Sequence, residues 1–376
     1  MTDLSSLDPN IYTSSSNEAL SISLAGNGKA VSFHPDFTYP IFGDAEQIFG
    51  YKDLVIHLVF DSMSLYPFLN VRYSEKRDDA DEVESKLLEL LPEETVVKDE
   101  ALWQDKIDGE NFEIPGEILS TYTHKDENYH VYKLSINKCA ESLQLHRRMQ
   151  IFVLFFIEAG SYIDAKDDMW EIYVVYKEDK TFIGFATGYS YWKYPGHEIF
   201  DSDAKYLWRK KISQFVILPP YQGQSHGSQL YKTIFEQWFK DDQVAEITVE
   251  DPSEAFDDLR DRCDLERLYQ RGLLETLPEP VISPEWFQTQ QAKEKIEKRQ
   301  FQRCVEMLLL HALKSKKNTR LQIKKRLFIK NRDALLDLDE ATRKDKLQVA
   351  YERLEEDYQR ILEKVRFVKK RPHQDT

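Results

Sequence analysis

A polar, glycine-containing turn, and two acidic residues further along the chain, are the features best suited to chemistry. The turn, 222–227, separates an apolar, β-branched run, 212–218, from a helical pattern over 228–239. The first backbone N–H groups of a helix have no partner within it and the helix dipole adds positive charge, so this turn can bind a phosphate. It contains neither Gly-Lys-Ser/Thr nor Gly-x-Gly-x-x-Gly, which excludes the two commonest phosphate loops. A second strand after the helix ends at Glu250 and Asp251.

The turn resembles the acyl-CoA loop of the GNAT N-acetyltransferases, Gln/Arg-x-x-Gly-x-Gly/Ala, which appears here as Gln222-x-x-Ser225-x-Gly227. Ser225 departs from that pattern, because the family has glycine at this position. A serine adds a side chain where a pyrophosphate should come close, so Ser225 must tolerate the backbone angles of the loop, and Gly223 can absorb part of the strain. The resemblance implies that the CoA phosphates are held by Gln222, Gly223, Gln224, Ser225, His226, Gly227 and Ser228. For His226 we expect a phosphate contact or a packing role rather than proton transfer.

Longer segments resemble the catalytic subunits of the type B histone acetyltransferases, which acetylate newly made histone four before chromatin assembly. The matching segments are SQFVILPPYQGQSHGSQLY, ITVEDPSEAFDDLRDR, FTYPIFGDAEQIFGYK and RRMQIFVLFFIEAGSYID, followed by a charged helical C-terminal third. They are spread over most of the chain. The resemblance implies acetyl-CoA as cosubstrate without a metal, the histone-four N-terminal tail as substrate, and a β-propeller partner of WD repeats.

The hydrophobic periodicity predicts an α+β fold, and the resemblance divides it into three domains. Residues 1–120 are expected to form a mostly β, histone-binding domain, 121–265 a GNAT domain with a mixed sheet, and 266–376 a helical domain in which Pro278, Pro280 and Pro284 mark a boundary after a first helix and linker. Predicted strands include ALSISLA, AVSFH, DLVIHLVFD, YHVYKLSI, WEIYVVYK and FIGFATGYSYWKY, and a long helix is expected from about 137 to 163 with Arg147 and Arg148 toward water.

The composition is that of a folded, acidic protein. Among 376 residues, 41% are hydrophobic and the formal net charge is −15, which argues against nucleic acid as the main partner and favours a cationic one. Many cytosolic proteins are equally acidic. The three cysteines are widely spaced and form neither a disulfide framework nor a zinc pattern. With no signal peptide pattern and no apolar run long enough to span a membrane, we expect a soluble protein, and the resemblance implies both cytoplasm and nucleus.

Glu250 is the first candidate for the general base that must take a proton from a substrate lysine. It ends the strand after the loop helix, where parallel pairing would bring it beside the strand that carries Phe215, and it matches the catalytic glutamate of the family in VEDP. Without the family, a capped turn is the simpler interpretation. Asp251 and Glu158 are alternatives. Glu158 lies in the apolar segment FVLFFIEAGSYID, where burial would prepare a base, but a helix-end glutamate facing solvent is equally compatible with the pattern.

The backbone N–H groups of Phe215, Val216 and Ile217 could stabilise the thioester oxygen and pair with the pantetheine arm as if it were an added strand. The resemblance adds Ser253 as a contact near the CoA thiol. No covalent intermediate is needed, because thioester and amine can meet directly in a ternary complex.

Acidic and aromatic residues are candidates for holding the substrate tail. Asp44 and Glu46 occupy a loop that helps to bind the histone tail in similar enzymes, although a solvated turn would also explain them. Aromatic walls can hold a lysine stem, and the resemblance places Trp170, Tyr189 and Tyr191 in the tail groove. Packing is the alternative role.

Two other functions fit the same residues. One is a GNAT enzyme that acts on another amine, such as a polyamine, and the other is a CoA-binding scaffold for histones or a histone chaperone. The segment 314–332 contains lysine and arginine but no acid; it could contact acidic chaperone surfaces or nucleic acid, although a solvated helix face is favoured. Lys369-Lys370-Arg371-Pro372 is a weak nuclear-import candidate.

Overall fold

The computed structural model describes residues 9–26, 28–194, 196–200, 207–278, 282–312 and 316–368. These residues form two compact units, one made of Met1–Ser190 and Ile212–Thr233 and the other of Tyr191–Lys211 and Ile234–Thr376. Pro280 and the Lys369-to-Pro372 segment lie outside the described residues. Within those residues, no helix combines the length and the apolar character needed to cross a bilayer.

The chain alternates strands and helices throughout its first two thirds and is helical thereafter, which confirms the predicted α+β class. The strands are β1 (Thr13–Ser15), β2 (Leu20–Gly26), β3 (Lys29–Phe33), β4 (Gln47–Phe49), β5 (Tyr51–Lys52), β6 (Val55–Asp61), β7 (Pro67–Arg72), β8 (Glu75–Lys76), β9 (Val96–Val97), β10 (Glu117–His124), β11 (Glu127–Leu134), β12 (Trp170–Lys177), β13 (Phe182–Lys193), β14 (Leu207–Ile217) and β15 (Val244–Val249). The helices are α1 (Ser16–Ala19), α2 (Tyr39–Phe42), α3 (Val83–Leu88), α4 (Glu100–Gly109), α5 (Ala140–Met149), α6 (Ile151–Phe156), α7 (His197–Phe200), α8 (His226–Phe239), α9 (Glu254–Gln270), α10 (Leu273–Thr276), α11 (Pro284–Glu294), α12 (Lys298–Ala312), α13 (Lys316–Lys330), α14 (Arg332–Leu336) and α15 (Glu340–Leu362).

A five-stranded sheet in the order β3-β2-β6-β7-β9 occupies the N-terminal part of the first unit. Alternation in the sequence explains its orientation, because Leu20, Ile22 and Leu24 are buried while the residues between them are partly exposed. Strands β2 and β6 run parallel, and β6 pairs antiparallel with β7. The strands predicted at ALSISLA, AVSFH and DLVIHLVFD are confirmed.

A six-stranded sheet follows in the order β10-β11-β12-β13-β14-β15. Its first four strands form an antiparallel meander, in which β12 and β13 are the strands predicted at WEIYVVYK and FIGFATGYSYWKY. These strands are buried along most of their length, which explains why their sequences are continuous apolar runs. The chain then passes from β14 through α8 to β15, which is the predicted strand-turn-helix-strand unit.

The largest hydrophobic core of the first unit contains residues from both sides of the predicted boundary at residue 120. Phe60 of β6 and Phe152 of α6 have ring centroids 4.9 Å apart, and Phe152 also stacks on Phe182 of β13 at 6.4 Å. The five-stranded sheet, α6 and β13 thus contribute to one core. The three domain boundaries stay a prediction.

The long helix expected from 137 to 163 was wrong in length. Two helices, α5 and α6, meet at Gln150, and α6 ends at Phe156. Arg148 is also not directed toward water: its side chain is 2% exposed, and its guanidinium donates to Glu94 at 2.7 Å and lies 4.6 Å from the Tyr66 ring centroid. A buried arginine requires such partners, and they come from distant parts of the chain that helical periodicity cannot reveal.

The helices of the second unit pack through both apolar and charged contacts. Helix α12 contacts α9, α13 and α15, burying Phe301, Val305 and Leu308. Glu294 is buried and receives hydrogen bonds from Arg267 and Arg271. The predicted helical C-terminal region is confirmed.

Candidate active site

The predicted anion-binding turn lies between a short 3-10 turn, Pro219–Tyr221, and the first residue of α8. Gln222, Gly223 and Ser225 are exposed, whereas His226 and Gly227 are buried. Gly223 and Ser225 have φ values of 70° and 69°, so both adopt the left-handed conformation. Glycine adopts it readily and serine does not. The strain expected at Ser225 is therefore present.

The N-terminal turn of α8 is fixed to the meander by its side chains. The Tyr122 hydroxyl of β10 lies 2.8 Å from His226 Nδ1, and the Tyr129 ring lies 4.5 Å from the imidazole, centroid to centroid. Two turns further along α8, the hydroxyl of Thr233 lies 2.7 Å from that of Ser120. These contacts orient the helix end that faces the turn.

His226 is held as a neutral imidazole. It is 1% exposed, and burial, with a smaller contribution from the charges of His124 and Lys125, lowers its pKa to about 4. We expected either a phosphate contact or a packing role for His226. A neutral ring offers no positive charge to a phosphate at neutral pH, so the contacts with Tyr122 and Tyr129 support the packing role.

Strand β13 approaches the last residues of β14 very closely. A Cβ atom on Gly184 would lie 2.3 Å from the Val216 carbonyl oxygen and 2.9 Å from Ile217 Cα, so only glycine fits there. The Leu218 N–H donates to the Ile183 carbonyl at 3.0 Å, and the Gln222 side-chain amide donates to the Ile217 carbonyl at 2.9 Å. Val216 is buried and Phe215 and Ile217 are partly exposed. Gln222 thus links the turn to the strand that was predicted to pair with pantetheine.

These residues suit acetyl-CoA. An α8 of fourteen residues supplies a full helix dipole, and the exposed turn before it has open space around Gly223, where an added Cβ would meet nothing within 4 Å. A pyrophosphate requires backbone N–H donors and room, and this turn offers both. The described residues contain no cluster of side chains able to hold a metal ion.

Glu250 belongs to the second unit, directly after β15. Its carboxylate lies 2.6 Å from Lys211 Nζ and its side chain is 43% exposed. The contacts between β14 and β15 advance in the same direction along both strands, from Trp208 with Gln243 to Lys211 with Glu250, as in a parallel pair. Glu250 therefore contacts β14 through Lys211, and its expected place beside the carboxyl end of the strand that carries Phe215 stays a prediction.

The residues after Glu250 form a turn and a helix cap. Asp251 is exposed and has a φ of 32°. Ser253 is the N-cap of α9, where its hydroxyl accepts a hydrogen bond from the Phe256 N–H at 3.3 Å. The capped turn considered for this segment is present, and the role of Ser253 near a CoA thiol stays a prediction.

Glu158 is exposed in the turn that follows α6. The burial that would have prepared it as a base is absent, and the structure agrees with the alternative of a glutamate facing solvent. Its role in proton transfer stays a prediction without structural support.

Asp44 and Glu46 have different surroundings within the first unit. Asp44 is exposed. Glu46 accepts hydrogen bonds from the Thr38 N–H at 2.7 Å, the Tyr39 N–H at 3.1 Å and the Asn17 amide at 3.0 Å, and its pKa is lowered mainly by the Thr38 hydrogen bond. Glu46 therefore fixes its own loop, and Asp44 is the carboxylate left available to a ligand.

Trp170 and Tyr189 face each other across β12 and β13, with ring centroids 4.7 Å apart. The Tyr189 hydroxyl donates to Asp167 at 3.0 Å, which fixes the ring. Tyr191, in the second unit, lies under the Arg209 guanidinium at 5.7 Å. Trp170 and Tyr189 thus contact each other and Tyr191 contacts a cation of its own unit, and the role of all three in a tail groove stays a prediction.

Sequence reasoning missed Tyr122, Asp167, Gly184 and Lys211. Each acts through a partner far away in the sequence or across a strand pair, and none belongs to a recognisable motif. Tyr122 lies outside the strands predicted from the sequence. The one signal was Gly184 within the predicted strand FIGFATGYSYWKY, because a glycine in a strand indicates a close backbone approach.

Comparison with known proteins agrees with this geometry. Residues 143–256, which include both the turn and Glu250, match the Acetyltransferase (GNAT) family. The fold and the turn thus define an acetyltransferase that uses acetyl-CoA. Residues 12–158 match the family described as Histone acetyl transferase HAT1 N-terminus, and 261–314 match Fungal HAT1, C-terminal.

Full-length relatives define the family more closely. The chain is 53% identical over 374 residues to the histone acetyltransferase type B catalytic subunit of Debaryomyces hansenii, with 95% of this chain and 91% of the relative covered. The corresponding subunit of Kluyveromyces lactis is 48% identical with 98% and 96% covered, and that of Schizosaccharomyces pombe is 38% identical with 90% and 88% covered. The chain belongs to the type B histone acetyltransferase catalytic subunits.

Proposed function

We propose that this enzyme transfers the acetyl group from acetyl-CoA to a lysine side chain in the N-terminal tail of free, newly synthesised histone four. The observation that carries the proposal is the carboxylate of Glu250, which is exposed at the end of β15 and lies in the same family match as the CoA turn. Transfer proceeds by direct attack in a ternary complex, with Glu250 as the general base.

Glu250 is suited to proton transfer by its position. Its carboxylate is exposed directly after β15 and is oriented by the contact with Lys211 Nζ at 2.6 Å, and a carboxylate oxygen can accept a proton from a bound amine. A substrate ammonium group gives one proton to Glu250, and the neutral amine nitrogen then bonds to the acetyl carbonyl carbon as the carbon–sulfur bond breaks. The attacking nitrogen then loses its second proton and the sulfur takes up a proton, so that the products are the acetylated lysine and CoA as a thiol. Phe215, Val216 and Ile217 supply backbone donors for the carbonyl oxygen.

The charge and aromatic surfaces favour a cationic tail as substrate. The net charge of −15 attracts a histone, and the exposed Asp44 can pair with a lysine or arginine of the tail. Trp170 and Tyr189 offer aromatic faces for a lysine stem. A polyamine would be attracted by the same negative charge, so competition between the two substrates is the informative measurement.

Competition between substrates tests this proposal. Labelled acetyl transfer is measured with equal concentrations of a histone-four tail peptide, a histone-three tail peptide and spermidine. We expect the largest kcat/KM for the histone-four peptide. A larger kcat/KM for spermidine would establish the rival enzyme function instead.

We also propose that a WD-repeat β-propeller subunit binds the exposed aromatic cluster of Trp192, Tyr194 and Phe200. Their ring centroids are 5.6 to 5.9 Å apart, and the side chains are 37%, 55% and 53% exposed. Exposed aromatic groups of this kind are typical binding hot spots. Replacing Trp192 and Phe200 with alanine should abolish co-elution with such a subunit, while Tyr73→Ala, at an exposed tyrosine elsewhere, should not. Equal co-elution of both variants would contradict the assignment.

A further inference from the structure

Helix α13 is a strongly basic element in an acidic protein. Its sequence, KKNTRLQIKKRLFIK, contains seven cationic residues and no acidic one, although the whole chain has a net charge of −15. Such a local reversal of charge indicates that this surface suits an acidic binding partner, whereas the rest of the molecule suits a basic one.

One face of α13 is used for packing within the second unit. Thr319 and Ile323 are buried, and the Arg326 guanidinium donates to Glu306 of α12 at 2.7 and 2.8 Å. Among the residues that the structure describes, Arg326 is the only cation of α13 in an ion pair. Lys324 hydrogen-bonds to Gln348 of α15. The other five cations are not needed to hold the helix in place.

The opposite face of α13 combines apolar and basic side chains. Lys317, Leu321 and Lys325 follow each other at four-residue spacing, which places them on one side of the helix, and Ile329 continues this row. Leu321 is 52% exposed and Ile329 is 61% exposed. We call this row, Lys317, Leu321, Lys325 and Ile329, the outer face of α13. The outer face thus alternates two lysines with two exposed apolar side chains.

A cleft adjoins the first turn of the helix. It has a volume of about 380 Å³ and is lined by Lys316, Lys317 and Arg320 from α13. The α15 wall carries Glu352 and Glu355, which accept hydrogen bonds from Gln348 at 2.6 Å and from Tyr351 at 2.7 Å. The three cations outnumber these two carboxylates, so the cleft has a positive formal charge that favours an incoming carboxylate.

We propose that the outer face of α13 binds an acidic polypeptide segment that also carries apolar residues. The acidic groups of the partner pair with Lys317 and Lys325 and reach the cleft, while its apolar residues cover Leu321 and Ile329. Basic histone tails are repelled from this face, so the partner is not the substrate. Nucleic acid would match the charge but would leave the two apolar side chains uncovered and would meet the negative charge of the remaining chain.

Binding of a synthetic peptide to the full chain tests the proposal. The probe is a labelled peptide of Glu-Glu-Leu repeats, measured by fluorescence anisotropy and compared with a labelled polyglutamate peptide. We expect the leucine-containing peptide to bind more tightly than polyglutamate and to weaken with rising salt. In L321S/K325E, we expect an affinity at least about tenfold lower.

Helix α4 supplies a matched control, because Leu102 and Lys106 are also an exposed Leu–Lys pair at four-residue spacing. The variant L102S/K106E should bind the peptide as the unchanged chain does, and both variants should keep their melting temperature and acetyl transfer. Equal loss of binding in the two variants would overturn the proposal. So would tighter binding of a DNA duplex or of anionic lipid vesicles than of the peptide.

Discussion

Ser225 is the residue at which the CoA turn departs from the family glycine, and its backbone carries a measurable cost. Its φ of 69° lies in the region that a side chain disfavours by about 1 to 2 kcal/mol. The departure was visible in the sequence, because the position is fixed by Gln222 and Gly227. Whether neighbouring residues would relieve it could not be predicted, since Gly223 relaxes only its own φ of 70°.

Replacing Ser225 with glycine should therefore stabilise the protein by about 1 kcal/mol. The free energy of unfolding is measured from urea titrations. The same chemical change at Ser228, in the first turn of α8, provides the contrast, because glycine is less favourable than serine in a helix by about 0.5 kcal/mol. Destabilisation by both substitutions would show that Ser225 is not strained.

Tyr122 and His226 form the contact that fixes the N-terminal end of α8, and this contact could not be predicted from the two residue types. The two are 104 positions apart in the sequence. Only the position of His226 inside the turn suggested a role, and the alternatives of phosphate contact and packing could not be separated without the tyrosine. Removing the partner of a buried hydrogen bond of this kind lowers the stability of the contact by about 1 kcal/mol.

Removing the Tyr122 hydroxyl should loosen the CoA turn. In Tyr122→Phe we expect the KM for acetyl-CoA to rise about fivefold, because a loss of about 1 kcal/mol corresponds to that factor, while kcat at saturation changes little. Steady-state kinetics at several acetyl-CoA concentrations give both values. Tyr73→Phe, at an exposed tyrosine, is the control. A fall in kcat with an unchanged KM would contradict a positioning role.

The regular elements differ in how well the sequence predicted them. Strands β12, β13 and β14 and helix α8 were predicted well because long apolar runs and an amphipathic pattern define them locally. The break at Gln150 and the burial of Arg148 were not, because Glu94, Ser64 and Tyr66 reach Arg148 from distant elements. Periodicity assigns a face to an arginine but cannot find partners that permit its burial.

Gly184 allows β13 to lie against the end of β14, and a single methyl group should disturb this contact. In Gly184→Ala we expect a loss of about 1 to 3 kcal/mol in the free energy of unfolding, together with a higher KM for acetyl-CoA, because the Val216 and Ile217 backbone must move. Gly109→Ala is the matched control, since an added Cβ there has no neighbour within 4 Å. A Gly184→Ala protein with unchanged stability and KM would refute the close approach.

The whole molecule combines an acidic surface with a few buried histidines, and this combination determines its response to acid. Burial, assisted by the nearby Arg147, lowers the pKa of His146 to about 4, and burial lowers that of His226 to about 4. Within the part of the chain that the structure describes, neither ring nitrogen of His146 has a hydrogen-bond partner. In the unfolded chain a histidine has a pKa of about 6.5, so the unfolded state binds more protons between these values.

Stability should accordingly be retained above about pH 6.5 and be lost as the pH falls from there toward 4, by up to about 1.4 kcal/mol per pH unit for each histidine. Urea titrations at a series of pH values measure this slope. His146→Leu should reduce this slope, because a leucine side chain cannot take up a proton in the unfolded state. His197→Gln, at an exposed histidine of α7, should leave it unchanged. Equal slopes for the unchanged chain and His146→Leu would contradict the account.

At the scale of the whole chain, the α+β class, the CoA turn and the family could be predicted, because they depend on local patterns and on motifs that can be recognised in a single sequence. The functional surroundings could not. The sequence could not show that the Glu250 carboxylate contacts Lys211, or that Glu46 accepts hydrogen bonds from Thr38 and Tyr39. Side-chain partners depend on strand register and loop geometry, which no composition or spacing specifies.

The most direct test of the catalytic claim is transfer of labelled acetyl from acetyl-CoA to a histone-four tail peptide, with the unchanged chain, Glu250→Gln and Glu158→Gln side by side. If Glu250 is the base, its glutamine variant should lose about 100-fold in kcat while it still binds acetyl-CoA, and the exposed Glu158→Gln should stay close to the unchanged enzyme. A Glu250→Gln enzyme that keeps its kcat would show that another group takes the proton.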